Sequence, residues 1–233
     1  MWESFAWGAL GAASLIVGGV LAMTLPIPRR LLGLIMAFGA GVLISAVAYE
    51  LVQEASETSD TRGWVIVGLF AGSLVYFLGD WAIERKGGDQ GMGLPITLGI
   101  VLDGIPESFV LGLTVLQDGS VSAAFLVAVV ISNLPEAMGA TTGLLENGWS
   151  RLRVNLLWAG VTLVSGFAAL AGYALLDGAS GDTIAFVLSF AAGAILTMLA
   201  DSMMPEAFEN GGKLAGIVTT FGFATAFAIN LLG

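Results

Sequence analysis

Long apolar segments follow one another along the chain and are separated by short polar joints. Eight segments of membrane-spanning length lie at about 4 to 25, 32 to 55, 63 to 83, 93 to 116, 121 to 145, 154 to 176, 183 to 207 and 213 to 232. The joints are rich in Gly, Pro, Asn and charged residues, which end helices. This pattern predicts an all-α polytopic membrane protein with eight transmembrane helices in a single domain, residues 1 to 233.

The basic residues are distributed unevenly among these joints. Seven of the eight follow odd-numbered predicted helices, and Arg62 alone lies on the other side; the seven are Arg29, Arg30, Arg85, Lys86, Arg151, Arg153 and Lys213. Cytoplasmic joints carry an excess of Lys and Arg. The asymmetry therefore predicts a multi-pass protein of the cell (cytoplasmic) membrane, with both termini external.

Composition narrows the possible chemistry. The chain is 57% hydrophobic and 11% charged with a mean hydropathy of +0.91, so it is embedded in a lipid bilayer. It contains no Cys and no His, which excludes disulfides, thiolate or imidazole metal ligands and a Ser-His-Asp triad. Its net charge of -10 excludes nucleic acid as a partner, because phosphate binding needs a basic surface. Any chemistry must use oxygen atoms.

Predicted helices 2 and 7 share a sequence pattern. Residues 38 to 55 align without a gap with residues 190 to 207, at an offset of 152 positions. Helix 7 comes five helices after helix 2, and because this number is odd the two copies cross the membrane in opposite directions. This is the inverted repeat found in many secondary transporters.

The middles of predicted helices 4 and 5 both contain a Pro-Glu pair preceded by polar residues. Helix 4 carries Asp103, Pro106 and Glu107, and helix 5 carries Ser132, Asn133, Pro135 and Glu136. A charge at the centre of a membrane helix costs about 2.5 to 3.5 kcal/mol, so such residues face the bundle interior with a partner. Residues four apart share a helix face, and each proline frees a backbone carbonyl. A divalent cation would neutralise the resulting site, although protonated acids in kinked, packed helices are an alternative.

At these residues the chain resembles the ZIP family (Zrt- and Irt-like proteins) of divalent metal transporters, whose helices 4 and 5 carry His-Asn-x-Pro-Glu-Gly-type motifs. By position, Asp103 stands for the motif's His, Gly104 for its Asn and Glu107 for its Glu, while Ser132, Asn133 and Glu136 occupy the second motif. The resemblance covers essentially the whole chain. It implies a ZIP-like bundle, a mid-membrane metal site formed by these residues, zinc as the substrate and a homodimer.

The departures from the family pattern bear on the transported ion. Asp103 replaces the His, Gly104 replaces the Asn, and residues 158 to 172 of helix 6 contain no acid. A ligand set made of oxygen favours harder ions such as manganese, although zinc also accepts carboxylates. The metal is expected as the transported substrate, and no prosthetic group is expected.

Acidic residues at the ends of helices 2 and 7 are weaker candidates for the ion pathway. They are Glu50, Glu54, Asp201 and Glu206, and for Glu54 and Glu206 solvated helix ends are an equal alternative. Asp80 is interpreted as part of an interfacial charge cluster beside Arg85. Gly139 and Gly143 are interpreted as a packing motif, and Met36 as a core residue.

Three function classes remain open. The leading one is a permease that moves a divalent cation by rocking of helix groups around the site. A second is a transport-dead ZIP-like protein that serves as a sensor or assembly partner, which the missing His and helix 6 acid would explain. The third is an intramembrane aspartyl hydrolase that uses Asp80 and Asp103. It is disfavoured because Asp80 is expected near the membrane surface.

Overall fold

The fold is helical throughout. A computed structural model describes residues 1–61, 63–87 and 93–231, and these residues form eight helices and no strand. The helices are α1 (Trp2–Thr24), α2 (Arg29–Thr58), α3 (Gly63–Gly87), α4 (Gly93–Asp118), α5 (Ala123–Glu146), α6 (Arg151–Leu176), α7 (Gly181–Gly211) and α8 (Leu214–Asn230). The prediction of an all-α protein with eight helices is confirmed for this part of the chain.

Among the described residues, six helices are long and apolar enough to cross a membrane, namely α1, α2, α3, α5, α6 and α7. Helix α8 is apolar but shorter, with 17 residues. Helix α4 carries Asp103 and Glu107 near its middle. Large apolar side chains such as Phe70 of α3 and Ile217 of α8 are exposed on the outside of the bundle, as expected where lipid is the solvent. The structure therefore fits a polytopic membrane protein.

The two longest helices contain wide turns. Helix α2 is π-helical over Val47–Gln53, and α7 is π-helical over Leu199–Met203. The two segments begin 152 positions apart. Pro205 contributes to the distortion in α7, because it cannot donate to a carbonyl one turn earlier. Such π-segments are often found at functional sites, and these two contain Glu50 and Asp201.

The helices pack as two four-helix bundles. We define bundle A as α1, α4, α5 and α6, in which α1 packs on α5 and α6, and α4 packs on α6. We define bundle B as α2, α3, α7 and α8, in which α3 packs on α7, and α2 packs on α7 and α8. The contacts of α2 with α5, and of α3 and α7 with α4, join the bundles.

Glycines allow the closest approaches within bundle B. Four glycines lie against backbone carbonyls of the facing helix: Gly41 against Thr219, Gly222 against Phe38, Gly193 against Leu69, and Gly72 against Phe190. The first two join α2 to α8 and the last two join α7 to α3. Any side chain at these positions would push the backbones apart, so the glycines determine the helix spacing. The α2–α8 contacts correspond to the α7–α3 contacts. Residues of α2 lie 152 positions before their counterparts in α7, and residues of α3 lie 150 positions before their counterparts in α8.

Candidate functional site

A cavity of about 320 Å³ lies between the two bundles. Its wall is formed by Met36, Tyr76, Asp80, Gly99, Asp103, Glu136, Gly139, Ala140, Gly143, Met198, Ser202, Met203 and Glu206. These residues come from the C-terminal halves of α3, α5 and α7 and the N-terminal halves of α2 and α4. The cavity therefore extends from mid-bundle toward the end that carries the seven basic residues.

Helices α4 and α5 bring three carboxyl groups together beside this cavity. Asp103 and Glu136 line the wall and are electrostatic neighbours of each other. Glu107 is 2% exposed and is an electrostatic neighbour of both. Pro106 and Pro135 lie inside the two helices beside these acids, where each leaves a carbonyl without its helical donor. Among the predicted site residues, the fold assembles these three acids.

The other two predicted residues of the second motif lie elsewhere. Ser132 is fully buried, its Oγ donates to the Val129 carbonyl at 3.0 Å, and its backbone faces Gly39 of α2. Asn133 is 5% exposed and is not part of the cavity wall. The Ser132 hydroxyl is therefore hydrogen-bonded within its own helix.

Helix α3 supplies two cavity residues that the sequence did not assign to the site. Tyr76 is 4% exposed, and its hydroxyl donates to Asp103 Oδ1 at 2.5 Å. Asp80, one turn further along, lines the same wall and is an electrostatic neighbour of Asp103. The expectation that Asp80 belongs to a surface charge cluster is wrong in this respect. The sequence held one signal for this position: Asp80 comes four residues after Tyr76, so the two side chains share one face of α3.

The inner part of the cavity is formed by α5 and α7. Glu206 lines the wall, and a Cβ atom placed on Gly139 would lie 3.1 Å from its Oε1 atom. Gly139 and Gly143 are thus cavity residues rather than helix-packing positions alone, because their missing side chains leave this space open. Met36, Met198 and Met203 also line the wall, so thioether sulfurs accompany the oxygen atoms.

A second polar cluster lies at the opposite end of the bundle. Glu50 Oε2 accepts a hydrogen bond from Ser122 Oγ at 2.7 Å, and Glu50 Oε1 accepts one from Asn230 Nδ2 at 2.5 Å. Gln117 Nε2 lies 3.5 Å from Glu54 Oε1. Because α2 and α8 belong to bundle B, while Gln117 lies in α4 and Ser122 caps α5 of bundle A, these contacts join the two bundles.

The remaining candidate residue does not join either cluster. Asp201 lies in the π-segment of α7 and is exposed, and it is not part of the cavity wall, whereas the next residue, Ser202, is. Glu206 lines the cavity, whereas Glu50 and Glu54 belong to the second polar cluster. Together with Asp201, these acids therefore do not form one site.

Within the described residues, no three carboxylates are placed so that they alone could enclose a metal ion. An ion held at Asp103 and Glu136 would therefore need further donors. Asp80, Ser202 and Glu206 supply further side-chain oxygen atoms on the wall of this cavity. Such a partial, open ligand set suits an ion that must leave again better than a permanently bound one.

Comparison with known proteins identifies one informative relative. A protein of Arabidopsis thaliana with the name "Putative zinc transporter At3g08650" is 26% identical over an alignment of 210 residues, and the match covers 85% of this chain. The chain spans about a third (33%) of the length of that relative. No protein-family model matches the sequence.

Proposed function

We propose that this chain is a transmembrane permease for divalent metal cations and is not an enzyme. The observation that supports this most is that Asp103 and Glu136 line a cavity between two helix bundles, with the buried carboxyl group of Glu107 as their electrostatic neighbour. Buried carboxyl groups held this close repel one another when ionised, and a dication removes that repulsion. The relative's name adds zinc as the first ion to test.

The cavity contains two kinds of donor, which bear on ion choice. Carboxylate, phenol and hydroxyl oxygens suit manganese and zinc, while the three methionine sulfurs suit softer ions. We expect the central site to accept both zinc and manganese. The methionines lie along the same wall and would favour zinc over manganese during passage.

We further propose an eight-span ZIP-like bundle with an inverted repeat. The matched π-segments of α2 and α7 support the repeat, as do the glycine contacts of α2 with α8 and of α7 with α3. The repeat would pair α1 with α6 and α5 with α4. Bundle A has the matching contacts, because α1 packs on α5 and α6 packs on α4. Two such halves facing opposite ways give a carrier two equivalent ways to open.

The pathway would be open at one end and closed at the other. The inner cavity reaches toward the joints rich in Arg and Lys, which the positive-inside rule places in the cytoplasm of the cell membrane, with external termini. The hydrogen bonds of Glu50 with Ser122 and Asn230 would hold the external end closed. Rocking of bundle A against bundle B would break the bond to Ser122 and open that end.

Two alternatives keep a specific observation in their favour. Asp80 and Asp103 line one cavity, which supports an intramembrane aspartyl hydrolase as the first alternative. Among the described residues no three carboxylates surround one point, which would fit a transport-dead member that acts as a sensor or assembly partner, within a homodimer for example.

Reconstitution in liposomes tests the proposal. Purified protein should carry zinc or manganese into vesicles loaded with a fluorescent chelator, and protein-free vesicles should not. Ion binding without flux would favour the sensor, and cleavage of a membrane-embedded peptide that Asp80→Asn abolishes would favour the hydrolase.

A further inference from the structure

Tyr76 is a buried polar residue at the centre of the molecule to which no role has been assigned. It lies on α3 with 4% of its surface exposed, and its ring belongs to the main hydrophobic core. A phenol hydroxyl buried at this depth needs a hydrogen-bond partner. Its partner is the carboxyl group of Asp103, at 2.5 Å.

The hydrogen bond holds one specific oxygen of Asp103. The Tyr76 hydroxyl donates to Oδ1, while the Asp103 carboxyl group also lies within reach of Glu136. A donor fixed on one carboxylate oxygen limits rotation of the group and directs the second oxygen elsewhere. In known metal sites, partners of this kind orient the ligand, and their loss costs about 10- to 100-fold in affinity or activity.

The bond also crosses from one bundle to the other. Tyr76 belongs to bundle B and Asp103 to bundle A, and α3 approaches α4 closely one turn later, where a Cβ atom on Gly79 would lie 3.3 Å from Leu102. The orientation of Asp103 therefore depends on how the two bundles are aligned. A change in the alignment of the bundles would change the direction in which the Asp103 carboxyl group faces the cavity.

We propose that Tyr76 is a positioning residue that orients the Asp103 carboxylate for the cation and couples this orientation to the alignment of the bundles. The inference rests on the proposed transport function. It assigns no direct contact between the phenol and the ion. Tyr76 acts through Asp103, which separates its role from that of a packing residue.

The experiment compares Tyr76→Phe, Asp103→Asn and the double variant by manganese binding to purified protein and by flux in liposomes. Tyr76→Phe should raise the half-saturating ion concentration by about 10- to 100-fold and lower the maximal flux by less than about 3-fold. In the Asp103→Asn background the same change should have no further effect. The chain has three tyrosines, so Tyr49→Phe and Tyr173→Phe are matched controls and should behave as wild type.

A second readout follows the hydrogen bond directly. With Tyr49 and Tyr173 both changed to Phe, Tyr76 is the one remaining tyrosine, and its ultraviolet resonance Raman band should report a donated hydrogen bond that Asp103→Asn weakens. An unchanged band on Asp103→Asn overturns the inference, whatever the binding results.

The outcomes separate the inference from the proposed function. An unchanged half-saturation in Tyr76→Phe, or an equal loss in the Asp103→Asn background, overturns the role of Tyr76 and leaves transport intact. Binding by wild type without flux overturns transport, while the binding series still decides on Tyr76. A wild-type protein that neither binds nor carries either ion overturns both.

Discussion

Replacing Glu136 by Gln should remove most of the affinity for a dication. At an effective dielectric constant of about 20, a dication and one carboxylate about 4 Å apart attract by about 8 kcal/mol, twice the value for two unit charges. Part of this is offset in the empty wild-type protein, because Asp103 and Glu107 repel an ionised Glu136. We expect a net loss of about 3 to 4 kcal/mol, which is about 100- to 1,000-fold in affinity.

The same change should have an opposite effect on the ion-free fold. Removing one of three neighbouring buried acids relieves their repulsion and desolvation, so ion-free Glu136→Gln should unfold at a higher temperature than wild type. At an ion concentration about 100 times the wild-type Kd, wild type should gain about 2.7 kcal/mol in the free energy of unfolding. The variant should gain about 0.4 kcal/mol or less under the same conditions.

Thermal unfolding with and without zinc or manganese, together with liposome flux, measures both effects. Glu3→Gln is the control, because Glu3 is exposed in the first turn of α1 and should leave both quantities unchanged. Near-normal flux in Glu136→Gln, or an ion-dependent stabilisation equal to that of wild type, would show that Glu136 is not a ligand and would refute this account of the site.

Four further predictions address orientation, gating, selectivity and the pathway. Tags inserted at Gly148 and Gly119 should be accessible from the cytoplasmic and the external side respectively; the same side for both would contradict the alternating topology. Joining cysteines at positions 50 and 122 with a short bifunctional thiol reagent should stop flux, because the external end could no longer open. The reagent should not change the flux of either single-cysteine variant, since the chain has no native cysteine. Asp103→His should raise the zinc-to-manganese flux ratio, since imidazole prefers zinc; an unchanged ratio would mean that position 103 does not select the ion. Gly139→Leu should slow flux at least tenfold by filling the cavity beside Glu206, and Gly216→Leu, at an open position with nothing within 4 Å, should not.

Much of the architecture could be predicted from the sequence because lipid restricts backbone structure. Every backbone polar group within a bilayer must be satisfied internally, so long apolar runs become helices, and polar joints separate them. The eight helices follow from that constraint. The cost of a charge in lipid predicts that Asp103, Glu107 and Glu136 face the bundle interior. The inverted repeat, the external termini and the eight membrane crossings stay predictions, since the fold accords with them without testing them.

The assignment of side chains to the cavity, by contrast, depended on tertiary packing. Ser132 and Glu136 share a helix face in the sequence pattern, yet Ser132 bonds to the Val129 carbonyl while Glu136 lines the cavity. Periodicity defines a face of about 100° and cannot rank positions within it. Rotation of α5 against its neighbours decides which residues on that face reach the cavity.

For a related reason, the local sequence does not predict that four further residues line the cavity, namely Tyr76, Asp80, Gly139 and Met36. Each looks like an ordinary core, interface or packing residue of its own helix, and each joins the cavity through the approach of another helix, such as α4 to α3 and α7 to α5. The sequence by itself determined how many helices form and that acids occupy the middle of the bundle, because the bilayer imposes both on every segment separately. Which side chains share a cavity was decided only by the contacts between bundles A and B, because those contacts set the distances between residues on different helices.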